Sequence, residues 1–381
     1  MDRATQARIV AEFLALEDAD TTTLADDVRR VPAAAYTDPA RFEHEQRALF
    51  RRSPVVVATS ADLPSPGDHL ACESGGIPIV VVRGSDGGLR AYVNACRHRA
   101  HPLAEGSGRD GRRLVCPFHA WTYDGDTGRL LAQPRSCDGF ATVDRDGLGL
   151  VPIPCVEAHG LVLVRPEGDE PIDASSALGA IGPEIGTFDL GSYHVFERTE
   201  SVWACNWKLL LDTFMESYHV PALHGRLLPG QPGHRMCFER FGRHLRIPVP
   251  GPTLYEQRDL PADERRLVSH ATVQHHLHPN VMCNHVFDYV VLWRFVPLAV
   301  DRTLALLTRY WPEPVDDELR AKLDRRFAWQ ARLTLEEDYP ASERIHRSLA
   351  SGRVHGTVLG RNEAAVIAFH ESIDAALEEA P

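Results

Sequence analysis

Cys96 and His98 in Cys96-Arg97-His98, and Cys116 and His119 in Cys116-Pro117-Phe118-His119, give two short clusters that each offer one thiol and one imidazole. That is the ligand set of a Rieske [2Fe-2S] centre, in which two thiolates hold one iron and two imidazoles the other. Exchanging two thiolates for neutral imidazoles raises the reduction potential to roughly −150 to +300 mV, so the chain is expected to move single electrons. Two Cys and two His also make a tetrahedral zinc set, but zinc fingers usually run Cys-Cys then His-His. One Cys and one His in each cluster favours iron and sulfur.

A second group of ligating side chains lies in the stretch from Asn206 to His224, where Asp212, Glu216, His219 and His224 interrupt an otherwise apolar run. On a regular helix Glu216 and His219 share a face, whereas His219 and His224 stand about 140° apart. Pro221 between them removes an intrahelical bond, and the resulting distortion would swing His224 towards His219. A histidine on an apolar helix is usually a core residue; two around a proline, one turn after an acid, point to a metal. A 2-His-1-carboxylate facial triad suits non-haem Fe(II) and leaves positions open for oxygen and substrate. The third ligand is sought in the helical run from Asp317 to Asp338. There Phe327, Ala331 and Leu335 form the apolar face, Asp338 falls within about 20° of Phe327, and Glu336 and Glu337 rotate towards solvent. An inward carboxylate is costly unless paired or metal-bound. The alternative is a charge run at a helix end, with Asp338 near the surface before Pro340.

The elements that must hold these residues differ along the chain. Between Pro54 and Val164, short apolar runs such as Val55-Val56-Val57, Ile79-Val80-Val81-Val82 and Leu161-Val162-Leu163-Val164 are divided by Gly, Pro and Asp. This is an antiparallel β texture, and both Cys/His clusters fall just beyond strand-like runs. Trp121-Thr122-Tyr123-Asp124-Gly125-Asp126-Thr127-Gly128-Arg129-Leu130 reads as strand, tight turn, strand. Trp121 either shields the cluster or fills a small β core. Thr5–Asp18 is helical, with Ile9, Phe13 and Leu16 at helical spacing, and its partner surface is not legible. From about Pro166 onward helical periodicity mixes with long strands, including Phe287-Asp288-Tyr289-Val290-Val291-Leu292-Trp293. Asn362–Glu379 is an amphipathic helix presenting Val366, Phe369, Ile373 and Leu377. The fold class expected is α+β, with residues 1–45 a helical segment, 46–165 the [2Fe-2S] domain and 166–381 the mononuclear iron domain.

The 381 residues exceed one electron-carrier module. Hydrophobic residues at 44% and a net charge of −12 describe a globular protein with no basic face for nucleic acid. Lysine occurs only at 208 and 322. No apolar stretch is long enough to span a membrane and the start lacks a signal-peptide core, so a cytoplasmic location is expected. Six further cysteines, at 72, 137, 155, 205, 237 and 283, are expected to be buried thiols.

From Tyr36-Thr37-Asp38-Pro39 and the two Cys/His clusters to the C-terminal helix, the chain resembles the α subunits of the Rieske non-haem iron oxygenases, or ring-hydroxylating oxygenases. The resemblance implies an antiparallel Rieske domain beside a helix-grip α+β catalytic domain, commonly in a head-to-tail homotrimer. It implies a cluster on Cys96, His98, Cys116 and His119, and iron on His219, His224 and Asp338. Glu216 is implied as the bridging catalytic acid, connecting His119 of one subunit to His219 of another. The bridge is more often Asp; Glu resembles the branch acting on carnitine, choline and betaine-type quaternary ammonium compounds. Ala100 stands where glycine is frequent, and His346 where glutamine is.

The function expected is hydroxylation or oxidative demethylation of a small molecule with O2, the electrons coming from a separate NAD(P)H-dependent reductase or a ferredoxin, since no nucleotide motif is present. Phe214, Phe287, Tyr289 and Trp293 are candidates to line the substrate pocket, where aromatic faces hold a trimethylammonium group by about 0.5 to 2 kcal/mol each. Asp212 is a candidate contact for a cationic substrate or, equally, a member of a local salt bridge. Two competing readings are an oxygenase acting on aromatic substrates and a non-catalytic Rieske electron carrier.

Overall fold

A computed structural model describes residues 1–227 and 235–379, and these form two compact units. One comprises Gln46–Ala177 with Asp189–Ser192; the other comprises Met1–Glu45, Leu178–Phe188 and Tyr193–Pro381. The first 45 residues, expected as a segment of their own, therefore belong with the downstream half. No helix among the described residues is long and apolar enough to cross a membrane.

The sheets of the smaller unit are all antiparallel. Strands Pro152–Ile153, Leu89–Val93, Ile77–Arg83, His69–Ser74 and Ser107–Gly108 lie side by side in one sheet. Arg113–Val115, Thr122–Asp124 and Leu130–Ala132 make a second, and Cys155–Ala158, Leu161–Val164 and Val55–Thr59 a third. Val80, Val82, Tyr92, Leu114, Trp121, Tyr123 and Leu150 form a core that also contains Cys96 and Cys116. The turn between the strands at 122–124 and 130–132 is closed by Asp124, whose Oδ1 accepts from the backbone N–H groups of Asp126 and Thr127 at 3.0 and 2.9 Å.

The larger unit is built on a seven-stranded antiparallel sheet, in the order His194–Trp203, Arg302–Trp311, Tyr289–Ala299, Val281–Val286, Ala271–Leu277, His244–Pro250 and Glu239–Phe241. The stretch read as one strand from Phe287 is in fact a hairpin end. The chain turns at Phe287-Asp288, Phe287 takes a left-handed φ of 52° and is 42% exposed, and the strand begins at Tyr289. The C-terminal helix Ala364–Glu379 buries Val366, Phe369, Ile373 and Leu377, with Phe369 edge-on to His276 of the sheet and to Trp207. The N-terminal helix Arg3–Asp18 buries Ile9, Val10, Phe13 and Leu14 against Cys237, Leu254, Leu267 and Val273. Its partner surface is therefore assembled from segments more than two hundred residues away, which explains why the helix alone did not reveal it.

None of the eight cysteines is in a disulfide, but the expectation of six buried thiols holds only for Cys205, Cys237 and Cys283. Cys72 and Cys155 are half-buried and Cys137 is exposed, because it sits in a surface turn, Ser136–Gly139, that contributes nothing to the core.

Candidate metal centres

The two Cys/His clusters are loops of one backbone design. In the first, the Cys96 N–H bonds to the His101 carbonyl at 2.9 Å and the Ala100 N–H to the Cys96 carbonyl at 2.8 Å. The second repeats this with Cys116 to Trp121 at 2.8 Å and Ala120 to Cys116 at 2.9 Å. Ala100 and Ala120 both take left-handed φ values, 58° and 57°. Glycine would be relieved of the Cβ clash there, and alanine costs about 1 to 2 kcal/mol of local strain.

Both cysteines are buried, whereas His98 is half-buried and His119 exposed, so the thiols form an inner pole and the imidazoles an outer one. The His98 and His119 rings lie 4.6 Å apart, and His98 stacks on Trp121 at 5.0 Å with an 11° tilt. Trp121 lies in the β core and also covers one side of His98. Burial, with Cys96 alongside, raises the Cys116 thiol above its ordinary range. A thiol raised in this way keeps its proton unless metal charge replaces it, and two buried thiols beside two imidazoles are the donor set of an iron–sulfur site.

Two supporting residues escaped sequence reasoning. The Asn94 Oδ1 accepts from the backbone N–H groups of Leu103 and Ala104 at 2.8 and 3.1 Å and fixes the first loop from beneath. The Tyr123 hydroxyl accepts from the Arg97 N–H at 2.9 Å and lies 3.3 Å from Cys96 Sγ. A hydroxyl donating to a cluster thiolate stabilises the reduced, more negative state. Tyr123→Phe is therefore expected to lower the cluster potential by on the order of tens of mV, read by redox titration of the visible spectrum. An unchanged potential would show that the hydroxyl does not donate to the sulfur.

In the larger unit, the stretch expected to be one kinked helix is two short ones. The helix Trp207–Asp212 ends four residues before Glu216, and a separate turn of helix, Val220–Leu223, carries Pro221 in its first turn. Proline at a helix start lacks only an N–H that would be unpaired anyway, so Pro221 begins this helix instead of bending a longer one. His219 and His224 flank the turn as its two caps, with ring centroids 5.0 Å apart. Two imidazoles five positions apart in the chain therefore converge.

The carboxylate comes from a helix that changes pitch. Asp317–Arg332 is α-helical, but Leu333–Asp338 winds as a π-helix. The wider turn overturns the 100°-per-residue projection: Thr334 is buried and Leu335 is 44% exposed. Glu337 does not rotate to solvent but bonds His224 Nδ1 at 2.7 Å, while Glu336 pairs with Arg332. Asp338, 7% exposed, does point inward.

His219 Nδ1 is held by Glu216, which also accepts the His219 backbone N–H at 3.1 Å. With both Nδ1 atoms engaged by carboxylates, the two Nε2 atoms face Asp338 Oδ1, at 3.0 Å for His224 and 3.6 Å for His219. Burial alone would lower the His224 imidazole, yet Asp338 and Glu337 outweigh it and raise it. Asp338 Oδ1 is nonetheless a buried oxygen with no hydrogen-bond partner. Three ligand atoms within 4.8 Å of one another, one of them orphaned and both histidines oriented from behind, fit a divalent metal.

The aromatic candidates separate. Phe214, from the same stretch as the two histidines, meets Trp293 at 5.4 Å and Phe295 at 5.6 Å, two residues that share one face of the sheet. Tyr289 lies at the hairpin end beneath the Arg326 guanidinium at 5.0 Å and donates to Gln330 at 2.9 Å; Phe287 is in the exposed turn beside it. Asp212 accepts from the Tyr36 hydroxyl at 3.0 Å and lies 3.0 Å from His370 Nε2.

Residues 53–143 match the model of the Rieske [2Fe-2S] domain and residues 190–379 that of the ring-hydroxylating α subunit catalytic domain. The chain belongs to the ring-hydroxylating α-subunit family. The two domains of this family carry a Rieske cluster and a mononuclear iron. The carnitine monooxygenase oxygenase subunit of Escherichia coli (strain K12) is 36% identical over 51% of the chain. The matched region spans about half, 52%, of that relative's length. The glycine betaine monooxygenase oxygenase subunit of Chromohalobacter salexigens is 26% identical over 84% of this chain and 79% of its own. A solved quaternary ammonium Rieske monooxygenase with L-carnitine shares the fold at a TM-score of 0.76 and 23% identity, over 92% of this chain and 96% of that one. A naphthalene 1,2-dioxygenase does so at 0.72 and 18%, over 92% of each. Among ring-hydroxylating α subunits this chain thus shares its fold with proteins of both substrate types.

Proposed function

We propose that this α subunit is a terminal monooxygenase for a small quaternary ammonium compound, hydroxylating or oxidatively demethylating it with O2. The observation that carries the proposal is the orphaned Asp338 Oδ1 facing the Nε2 atoms of His219 and His224, a three-ligand set that leaves positions open. Bound there, Fe(II) supplies O2 activation when electrons arrive from a cluster held by Cys96, His98, Cys116 and His119. Glu216 and Glu337 fix the imidazole orientations from behind. Phe214 and Trp293 offer apolar and π surface to a methylated cation and exclude water. Asp212 is assigned a positioning role in place of a substrate contact, because its carboxylate is already engaged by Tyr36 and His370.

Electrons are proposed to come from a separate NAD(P)H-dependent reductase or ferredoxin and to cross between copies of the chain in a homotrimer, with His119 of one copy meeting Glu216 of the next. The carnitine, glycine betaine and choline monooxygenase names among the relatives support the substrate class. A structural relative's description as showing inter-subunit electron transfer supports the crossing.

The test is substrate-dependent O2 consumption by the purified subunit with a reductase, across carnitine, choline, betaine and aromatic compounds. Turnover with a methylammonium compound and none with naphthalene supports the proposal; the reverse pattern moves the chain to the aromatic class.

A further inference from the structure

The helix Trp207–Asp212, from which the Glu216–His224 segment hangs, is only 6 residues long and cannot hold its own shape. Both of its charged residues oppose the helix dipole. Lys208 sits in the first turn, where anions are favoured, and Asp212 ends the last, where cations are. Each is countered by residues 36–45. The Lys208 ammonium bonds both oxygens of Glu45 at 2.7 and 2.6 Å. Asp212 takes the Tyr36 hydroxyl at 3.0 Å on one oxygen and faces His370 Nε2 at 3.0 Å with the other, while Tyr36 and His370 lie 3.1 Å apart. Tyr36 and His370 are 1% and 2% exposed, so both donors have lost competing water, while Asp212 is partly exposed. Arg41 secures the same segment to the C-terminal helix through Asp374 at 2.6 Å. From Asp212 the chain needs one irregular turn, closed by the Met215 N–H to the Asp212 carbonyl at 3.3 Å, to reach Glu216.

We infer that Tyr36 and His370 are positioning residues for Glu216: by gripping Asp212 they fix the helix end from which the carboxylate behind His219 is hung. This gives the Tyr36-Thr37-Asp38-Pro39 motif a task in the reaction, and it rests on the proposed role of Glu216 in passing electrons. A misplacement near 1 Å at a transfer step costs on the order of 100-fold in rate.

The experiment compares Tyr36→Phe and His370→Leu with the parent, and adds His370→Gln, which restores an N–H donor. Backbone hydrogen exchange is followed in the peptide covering 213–219 of the metal-free protein, and reoxidation of the reduced cluster in a single turnover of the loaded one. The inference expects exchange in that peptide to rise about tenfold or more with the rest unchanged. It also expects reoxidation to slow by on the order of 100-fold at unaltered KM and iron content, with recovery in His370→Gln. Parent-like exchange and reoxidation in both donor-deleting variants would overturn it, and so would a rise spread over the whole larger unit, which marks a merely structural contact. If Tyr36→Phe fails to fold, the contrast between His370→Leu and His370→Gln decides alone. A parent that never reoxidises with substrate refutes the oxygenase proposal, while the exchange comparison still decides the positioning.

Discussion

Asp338→Ala is expected to yield a folded subunit that keeps the visible Rieske spectrum, loses about one iron per chain, and makes product at least about a thousandfold more slowly. Among the described residues the carboxylate is the one donor that opposes the two Nε2 atoms, and its Oδ1 has no hydrogen-bond partner of its own. Two neutral imidazoles alone are a weak site for Fe(II), a cation that prefers mixed nitrogen and oxygen donors. The cluster loops lie in the other compact unit, so their absorption should not follow the lost iron. Glu337→Gln, which loosens His224 without removing a ligand, should cost a smaller 10- to 100-fold in metal affinity. Iron analysis beside the visible spectrum checks both. Iron content unchanged in Asp338→Ala would remove the triad and leave the non-catalytic electron carrier as the better reading.

That triad was only partly legible in the sequence, and the reasons are local. The Cys/His loops could be read directly because each is complete within six residues, so spacing alone encodes its geometry. Residue types and separation single out His219 and His224, but the structure brings them together through two short helices and not through one kinked at Pro221. The proline sits at a helix start, and apolar spacing does not distinguish a bent helix from two short ones. A regular α-helical projection points Asp338 inward, whereas Leu333–Asp338 winds more widely. The inward direction survived because Asp338 ends the run, while Leu335 and Glu337 exchanged the environments expected of them. Asn94, Tyr123, Tyr36 and His370 act through contacts of long sequence separation or through hydroxyl and amide groups, which leave no periodic signature. Phe287 and Tyr289 were grouped with Trp293 because all three are aromatic. Tyr289 opens the strand that carries Trp293 and Phe287 lies in the turn before it, and aromatic type alone does not mark where that turn falls.

The largest stability effect is expected at the buried ion pair beneath the same segment. Lys208 is fully buried and Glu45 is 1% exposed, so neither charge is solvated by water. Glu45 also accepts from Trp207 Nε1 at 3.0 Å and from Arg41 Nε at 3.0 Å, so it carries three donors. Glu45→Leu strips Lys208 of both the hydrogen bonds it makes to this carboxylate and leaves a buried ammonium facing a side chain that accepts nothing; a loss of about 3 to 5 kcal/mol follows, roughly 10 °C in melting temperature. Lys208→Met should be milder, about 1 to 3 kcal/mol, because Glu45 keeps Arg41 and Trp207. The double variant should then resemble Lys208→Met, since the orphaned ammonium that made Glu45→Leu severe is gone. Burial already depresses the Lys208 pKa, and removing the carboxylate deepens that depression. A base whose folded pKa lies below its unfolded one binds fewer protons when folded, so the Glu45→Leu deficit should shrink as pH rises from 7 towards about 10. Denaturant melts of the three variants at pH 7 and pH 9.5 test the ordering and the sign. If Lys208→Met proves the more damaging single change, Glu45 depends on the ammonium more than on Arg41 and Trp207 together. The cation, not the carboxylate, would then hold the helix that leads to Glu216.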